Sequence, residues 1–145
     1  MIVGDRGAEL IELALILPFL LIVFAAIIDF GFLFQRWEVL TNAAREGARV
    51  GILPGYVEAD IDNRVIQYLA AAGISAVPDD CDVLISTIPL DPASPPGGKM
   101  IQIVTVTVER PADFLNLGPM LSLIGGAAHG TIMLRGVSTM RTEEQ

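Results

Sequence analysis

The stretch that decides the fold is LALILPFLLIVFAAIIDFGFLF, residues 13–34, in which Asp29 is the one charged residue. Its length matches the ~20 apolar residues that a membrane-spanning helix needs. A secretory signal would have a positive flank, a shorter apolar core and a small-residue cleavage site after it, and this stretch has none of these. A wholly apolar helix can also form the centre of a large protein, but the rest of the chain is too short to enclose it. We therefore predict a membrane span.

The helical pattern continues beyond this span. Residues 36–53 read RWEVLTNAAREGARVGIL. Apolar side chains recur there at steps of three and four, at Trp37, Leu40, Ala44, Ala48 and Ile52. This spacing predicts an amphipathic helix. We expect a single helix from Ala8 to about Gly51, ended by Pro54-Gly55.

The remaining chain predicts a small head of mixed helix and strand. A second helix is expected from about Val57 to Ala72, with Gly73 just after its end. Runs rich in β-branched residues predict three strands, at Asp82–Ile88, Met100–Val108 and about Thr131–Met140. Asp113 is expected to cap a short apolar helix over Phe114–Ile124.

The pattern inside the second strand predicts how the sheet is covered. Val104, Val106 and Val108 alternate with Thr105 and Thr107. Such alternation is typical of a strand with one packed face and one wet face. The predicted fold class is therefore α+β, with a long N-terminal helix and a small head that contains an antiparallel sheet.

Charge and composition exclude several classes of function. The net charge is −8 and the nine basic residues form no patch, so binding to nucleic acid is not expected. His129 is the one histidine, which leaves little for a histidine metal site or a serine protease triad. Asp79, Asp80 and Asp82 lack the spacing of a calcium loop and are interpreted as a solvated turn. We expect no enzyme activity and no cofactor or metal.

Cys81 is the one cysteine, so an intrachain disulfide is impossible. A bridge to another chain is conceivable, but a lone buried thiol is the favoured interpretation.

The arginines give a prediction about membrane orientation. Arg36, Arg45 and Arg49 follow the span and Arg6 precedes it, so the positive-inside rule places the C-terminal side in the cytoplasm.

The N-terminal sequence resembles a known family. RGAELIELALILPFLLIVFAAIIDFGFLFQ, residues 6–35, followed by NAAREGARVG, residues 42–51, is similar to TadE-like proteins. These are minor pilins, or pseudopilins, of tight-adherence (Flp-type) pilus systems, which are related to type IV pilins. The resemblance is close over about the first 50 residues. It implies a pilin-like head and a role in assembling a pilus for surface adherence.

The resemblance also implies processing by a membrane prepilin peptidase. Such peptidases cut after a glycine and leave a glutamate as the fifth mature residue. A cut between Gly7 and Ala8 puts Glu12 fifth, whereas a cut after Gly4 would put Glu9 fifth. The second frame begins with polar residues, so we prefer the first. The expected organisation is a leader over residues 1–7, a helix over 8–53 and an extracytoplasmic head over 54–145.

Three residues of the span are candidates for assembly or membrane roles. Cleavage would create an ammonium group on Ala8, about 6 Å along the helix from Glu12, and the two could pair within the chain or with a neighbour. Pro18 removes one helical N–H and would loosen or kink the helix. Asp29 is expected near the far boundary of the membrane as an interfacial residue, with Arg36 as a conceivable partner.

The implied partners are other pilins, the pilus assembly machinery, prepilin peptidase and membrane lipids, in a hetero-oligomer. The implied location is the inner membrane, with the N-terminus cytoplasmic, the head outside and a final place in the pilus. This orientation is opposite to the one that the arginines predict. The alternative function is an uncleaved, single-pass membrane anchor that carries an extracytoplasmic binding domain.

Overall fold

The computed structural model of the protein describes residues 5–89, 100–123 and 131–142. The proline-rich loop after the first strand, His129 and the predicted end of the short helix at Gly125 lie outside these residues. The elements of the protein, in chain order, are α1 (Asp5–Gly51), α2 (Glu58–Ala71), a 3-10 turn (Pro78–Asp80), β1 (Cys81–Pro89), β2 (Met100–Asp113), α3 (Leu117–Leu123) and β3 (Thr131–Arg141). The predicted α+β class is confirmed.

The chain divides into two compact units. The first unit consists of Met1–Phe34 with Ala112–Ile132, and the second consists of Gln35–Pro111 with Met133–Gln145. Helix α1 therefore contributes its apolar part to the first unit and its amphipathic part to the second. Strand β2 ends in the first unit and β3 begins in it, and both strands lie otherwise in the second unit.

Helix α1 is continuous, as predicted, but it begins three residues before Ala8. It passes through Pro18 and ends at Gly51, shortly before Gly55, whose φ of 86° only glycine adopts readily. Its N-terminal part is apolar and long enough to cross a membrane, and only 6% of its most apolar window is buried. This exposure is consistent with a single-pass membrane anchor.

Helix α2 ends in a Schellman motif. Gly73 has a φ of 76°, its N–H donates to Ala70 O at 3.0 Å, and the N–H of Ile74 donates to Leu69 O at 2.9 Å. These two bonds satisfy carbonyls that a helix end leaves without partners. Gly73 thus ends α2 in the way that its position in the sequence predicts.

The sheet has the strand order β1-β2-β3 and is antiparallel. In the pairing of β1 with β2, Cys81 lies opposite Val108 and Pro89 lies opposite Met100. Strand β2 continues five residues beyond its predicted end, where β3 is still its neighbour on one side. Because β1 begins at Cys81, opposite Val108, the other edge of β2 is open beyond that level. Pro111 is tolerated there, since a proline on an open edge removes no N–H from the ladder.

The core of the second unit lies between one face of the sheet and the two long helices. Its fully buried members are Leu40, Ala43, Ala44, Ala48, Ile61, Val65, Leu69, Val104, Val106 and Val108. The valines of β2 face this core, as predicted. Thr107 is also buried, however, so the prediction of a wet opposite face is wrong at that residue. Thr107 belongs to the central strand, where it pairs with Asp82 of β1 and is sheltered by neighbours on both sides.

Small residues of α1 allow the other elements to approach it closely. A Cβ atom added to Gly47 would lie 2.6 Å from a methyl group of Val65, and one added to Gly51 would lie 2.7 Å from a methyl group of Val104. A Cβ atom added to Gly136 of β3 would lie 2.5 Å from the carbonyl carbon of Leu40. Helix α1 is thus packed, at the level of the NAAREGARVG segment, more closely than larger side chains would permit.

Candidate processing and assembly site on helix α1

The predicted cleavage position lies on the exposed first turns of α1. Gly7 and Ala8 are both exposed, and a Cβ atom on Gly7 would have no heavy atom within 4 Å. The peptide bond between them lies within helical backbone, since α1 begins at Asp5. The first four N–H groups of a helix have no partner in the helix, so this turn has fewer hydrogen bonds to break than the helix interior when it unwinds.

Glu9 and Glu12 are both exposed, and Glu12 lies one helical turn beyond Ala8. Its distance along the axis from Ala8 is about 6 Å, from the rise of 1.5 Å per residue. Among the described residues, no hydrogen bond or ion pair reaches the Glu12 carboxylate. This side chain is therefore available to a cation of the mature N-terminus or of another subunit.

Pro18 lies on the exposed surface of α1, six residues after Glu12. Its ring nitrogen carries no hydrogen, so the carbonyl of Ala14 loses the bond that position 18 would otherwise donate. The helix nevertheless continues on both sides of it. Pro18 therefore weakens the hydrogen-bond ladder of α1 at one point without ending the helix.

Asp29 has a different environment from the one that the sequence predicts. It is buried, at 2% exposure, and its carboxylate binds the residues that lead into α3. The N–H of Asn116 donates to it at 3.0 Å, the side-chain amide of Asn116 at 2.8 Å and the N–H of Leu117 at 2.7 Å. Asp29 thus supplies the N-terminal cap of α3 from another helix.

This geometry corrects two expectations. The partners of Asp29 are Asn116 and Leu117, not Arg36, and Asp113 does not cap the short helix. Asp113 instead accepts a hydrogen bond from the hydroxyl of Thr131, at 2.7 Å. Helix α3 begins three residues later than predicted, because the carboxylate that holds its first N–H groups lies at the level of Leu117 rather than Phe114.

The candidate residues therefore form two separate sites. Gly7, Ala8 and Glu12 lie together at the N-terminal end of α1. Asp29 lies 17 residues beyond Glu12, which is about 25 Å along the helix. The second site could not be found from the sequence, since nothing near Asn116 indicates a bond to a residue 87 positions earlier.

The NAAREGARVG segment contains an ion pair that sequence reasoning missed. The guanidinium of Arg64 on α2 donates to one oxygen of Glu46, from Nη2 at 2.6 Å and from Nε at 3.2 Å. The hydrogen bond from Arg64 lowers the pKa of Glu46 below its usual 4.5, and the nearby charge of Arg49 acts in the same direction. Glu46 thus joins α1 to α2 beside the glycine that lets them approach.

Other polar residues of the second unit have structural partners. Asp80 accepts hydrogen bonds from the N–H of Val77 and from Arg110 of β2. Cys81 is half-buried, and burial raises the pKa of its thiol to about 12, with the neighbouring carboxylate of Asp62 adding to the effect. In the parts of the chain that the structure describes, no group of three His, Cys, Asp or Glu residues is arranged to hold a metal ion.

The comparisons with known proteins agree with the resemblance in the N-terminal sequence. Residues 7–49 match the family model described as TadE-like protein. The match includes Gly7, Glu12, Asp29 and Gly47, and it indicates a protein associated with the Tad pilus. No curated protein and no solved structure matches the chain.

Proposed function

We propose that this protein is a minor pilin, or pseudopilin, that prepilin peptidase cuts after Gly7 and that is then built into a Flp-type pilus or its initiating tip complex. The single observation that supports this most is the arrangement at the start of α1. A glycine, a small residue and a carboxylate with no partner among the described residues lie there within six residues, all exposed, at the edge of an apolar helix.

The proposed role of Glu12 is to select the neighbouring subunit. Cleavage leaves a free ammonium group on Ala8, and a carboxylate in the membrane costs roughly 2.5–3.5 kcal/mol at the centre of a span and less at its edge. Pairing with an ammonium group offsets part of this cost, because the attraction between opposite charges grows as the surroundings become less polar. Two adjacent subunits in register would place each Glu12 near the Ala8 of the other.

Pro18 has a supporting role in this proposal. Its missing hydrogen bond weakens α1 between the assembly carboxylate and the rest of the span. The helix could therefore bend or partly unwind there when a subunit leaves lipid and enters a filament. Neighbouring helices in the filament would then satisfy the free carbonyl of Ala14.

The proposed location is the inner membrane, with the N-terminus in the cytoplasm and the rest of the chain beyond α1 on the outer side. The arginines after the span favour the opposite orientation. A dedicated insertion pathway would override this bias. The proposed partners are other pilins, the assembly machinery and prepilin peptidase, in a hetero-oligomer without catalytic activity.

A pair of matched substitutions tests the assembly role. Glu12→Gln removes the proposed assembly charge, and Glu9→Gln removes a similarly exposed charge three residues earlier. The amount of each variant in pili sheared from cells is measured by immunoblot, relative to its amount in the membrane. We expect Glu12→Gln to lose co-assembly and Glu9→Gln to retain it. Equal incorporation of both variants would contradict a specific role for Glu12.

A further inference from the structure

The residues that Asp29 binds belong to a short apolar lobe. We define the α3 lobe as residues 114–123, which read FLNLGPMLSL and contain no charged residue. It belongs to the same compact unit as the apolar part of α1. Leu115 at its start is 57% exposed, although it is a large apolar side chain.

The position of Asp29 along α1 fixes the level at which the lobe lies. Asp29 is 16 residues beyond Leu13 and 5 residues before Phe34. At 1.5 Å per residue, these separations are about 24 Å and about 7.5 Å along the helix axis. In a hydrocarbon core about 30 Å thick, the lobe is therefore held at the far boundary of the core rather than above the headgroups.

The contacts with Asp29 reduce the cost of placing the polar backbone of the lobe at this level. A helix start exposes N–H groups, which are costly wherever water is scarce. Here the N–H groups of Asn116 and Leu117 and the side-chain amide of Asn116 all donate to the Asp29 carboxylate. The same bonds satisfy a carboxylate that would otherwise be an unpaired charge within an apolar helix.

The surface of α1 beside the lobe has the same apolar character. Phe30 is 65% exposed, and Phe32 is also exposed, one residue beyond Gly31. The apolar surface of the span is thus continued at this level by the uncharged lobe, with Leu115 exposed on it. A surface of this composition at the end of a span fits the boundary between acyl chains and headgroups.

We propose that the α3 lobe is a second membrane contact, which inserts into the outer lipid boundary beside α1 and is fastened to the span by Asp29. The inference rests on α1 spanning a membrane, as in the proposed function. It names a contact that lies outside the part of the chain matched by the family model, residues 7–49. The lobe carries no charge, so its contact with lipid depends on apolar surface and is independent of salt and of anionic lipid.

The test measures how deeply single positions lie in a bilayer. In a Cys81→Ser background, a cysteine is placed at Leu115, at Leu20 in the span, or at Thr87 of β1, all of which are exposed positions. Each is labelled with the fluorophore NBD, and the purified full chain is reconstituted in phosphatidylcholine vesicles. Quenching by lipids that carry a nitroxide on the acyl chain is then compared at low and high salt.

We expect strong quenching at positions 20 and 115, several-fold above that at position 87 and unchanged by salt. Quenching at position 20 without quenching at position 115 would overturn the lobe contact and leave the membrane span intact. In that case the exposed surface at Leu115 would be left for a neighbouring protein subunit. Absence of quenching at both positions would overturn the span as well as the lobe contact.

Discussion

The close approach of β3 to α1 predicts that Gly136→Ala is strongly destabilising. The added Cβ atom would lie 2.5 Å from the carbonyl carbon of Leu40 and 2.6 Å from the backbone nitrogen of Thr41. Carbon atoms in favourable contact are about 3.5–4.0 Å apart, so β3 and α1 must separate by about 1 Å. The obstacle is helical backbone, which cannot rotate away as a side chain can.

The expected cost follows from these contacts. Overpacking in a core costs about 1–3 kcal/mol, and an immovable backbone neighbour puts this site at the upper end. Replacing glycine by alanine recovers about 0.4–1 kcal/mol through the unfolded chain, because the φ of Gly136 is not positive. The net loss is therefore about 2 kcal/mol, or a factor of roughly 30 in the ratio of folded to unfolded protein.

Trp37 gives a local readout for this variant. Its indole N–H donates to the carbonyl of Arg135, the residue before Gly136, at 3.2 Å. It is the one tryptophan in the chain, so its emission reports on the contact between β3 and α1. Guanidinium unfolding of the full chain in mild detergent, followed by this fluorescence, should show a lower midpoint and a shifted native emission maximum.

A matched glycine on α1 serves as the control. Gly31→Ala adds a Cβ atom that meets no heavy atom within 4 Å, so it should cause no loss of stability. The reasoning from close packing would be refuted if the Gly136→Ala variant unfolded at the same denaturant concentration as the parent and kept the same native emission maximum.

Three further predictions concern individual polar groups. Asp29→Ala should speed hydrogen exchange at the amides of Asn116 and Leu117 by roughly 30-fold, since bonds to a charged acceptor contribute about 2 kcal/mol; unchanged exchange would contradict the capping role. The pKa of Glu46 is lowered by its bond from Arg64, so this group stabilises the fold above its unfolded pKa of 4.5, and the effect is lost as pH falls through the lower folded value. The stability difference between the parent and Glu46→Gln should accordingly be present at pH 7 and shrink in acid, and a difference independent of pH would contradict the pair. With its pKa raised to about 12, Cys81 should react with iodoacetamide at pH 8 on the order of a thousandfold more slowly in the folded chain than after unfolding, and equal rates would contradict its burial.

Much of the fold could be predicted because its elements have strong local signals. Helix α1 follows from an apolar run that continues into residues spaced at three and four, and its end follows from Pro54-Gly55. Gly73 marks the end of α2 because glycine alone adopts its backbone conformation at little cost. The local pattern predicts β2 too short, since its extension beyond Val108 depends on β3 reaching that level, which is a property of the pairing.

The candidate site was predictable only where its chemistry is local in sequence. Gly7, Ala8 and Glu12 lie within six residues, so their spacing alone places them together. The bond between Asp29 and the start of α3 and the pair between Glu46 and Arg64 join distant residues. Gly136 carries no local signal either, because its role depends on the backbone of Leu40 lying opposite.

The central claim is that the chain is processed as a prepilin, and the N-terminus of the protein in cells tests it most directly. Mass spectrometry of the protein purified from cells with and without prepilin peptidase gives this N-terminus. We predict a chain beginning at Ala8 in the first strain and an uncut chain in the second. An uncut chain in both strains would contradict the claim and favour a permanent membrane anchor.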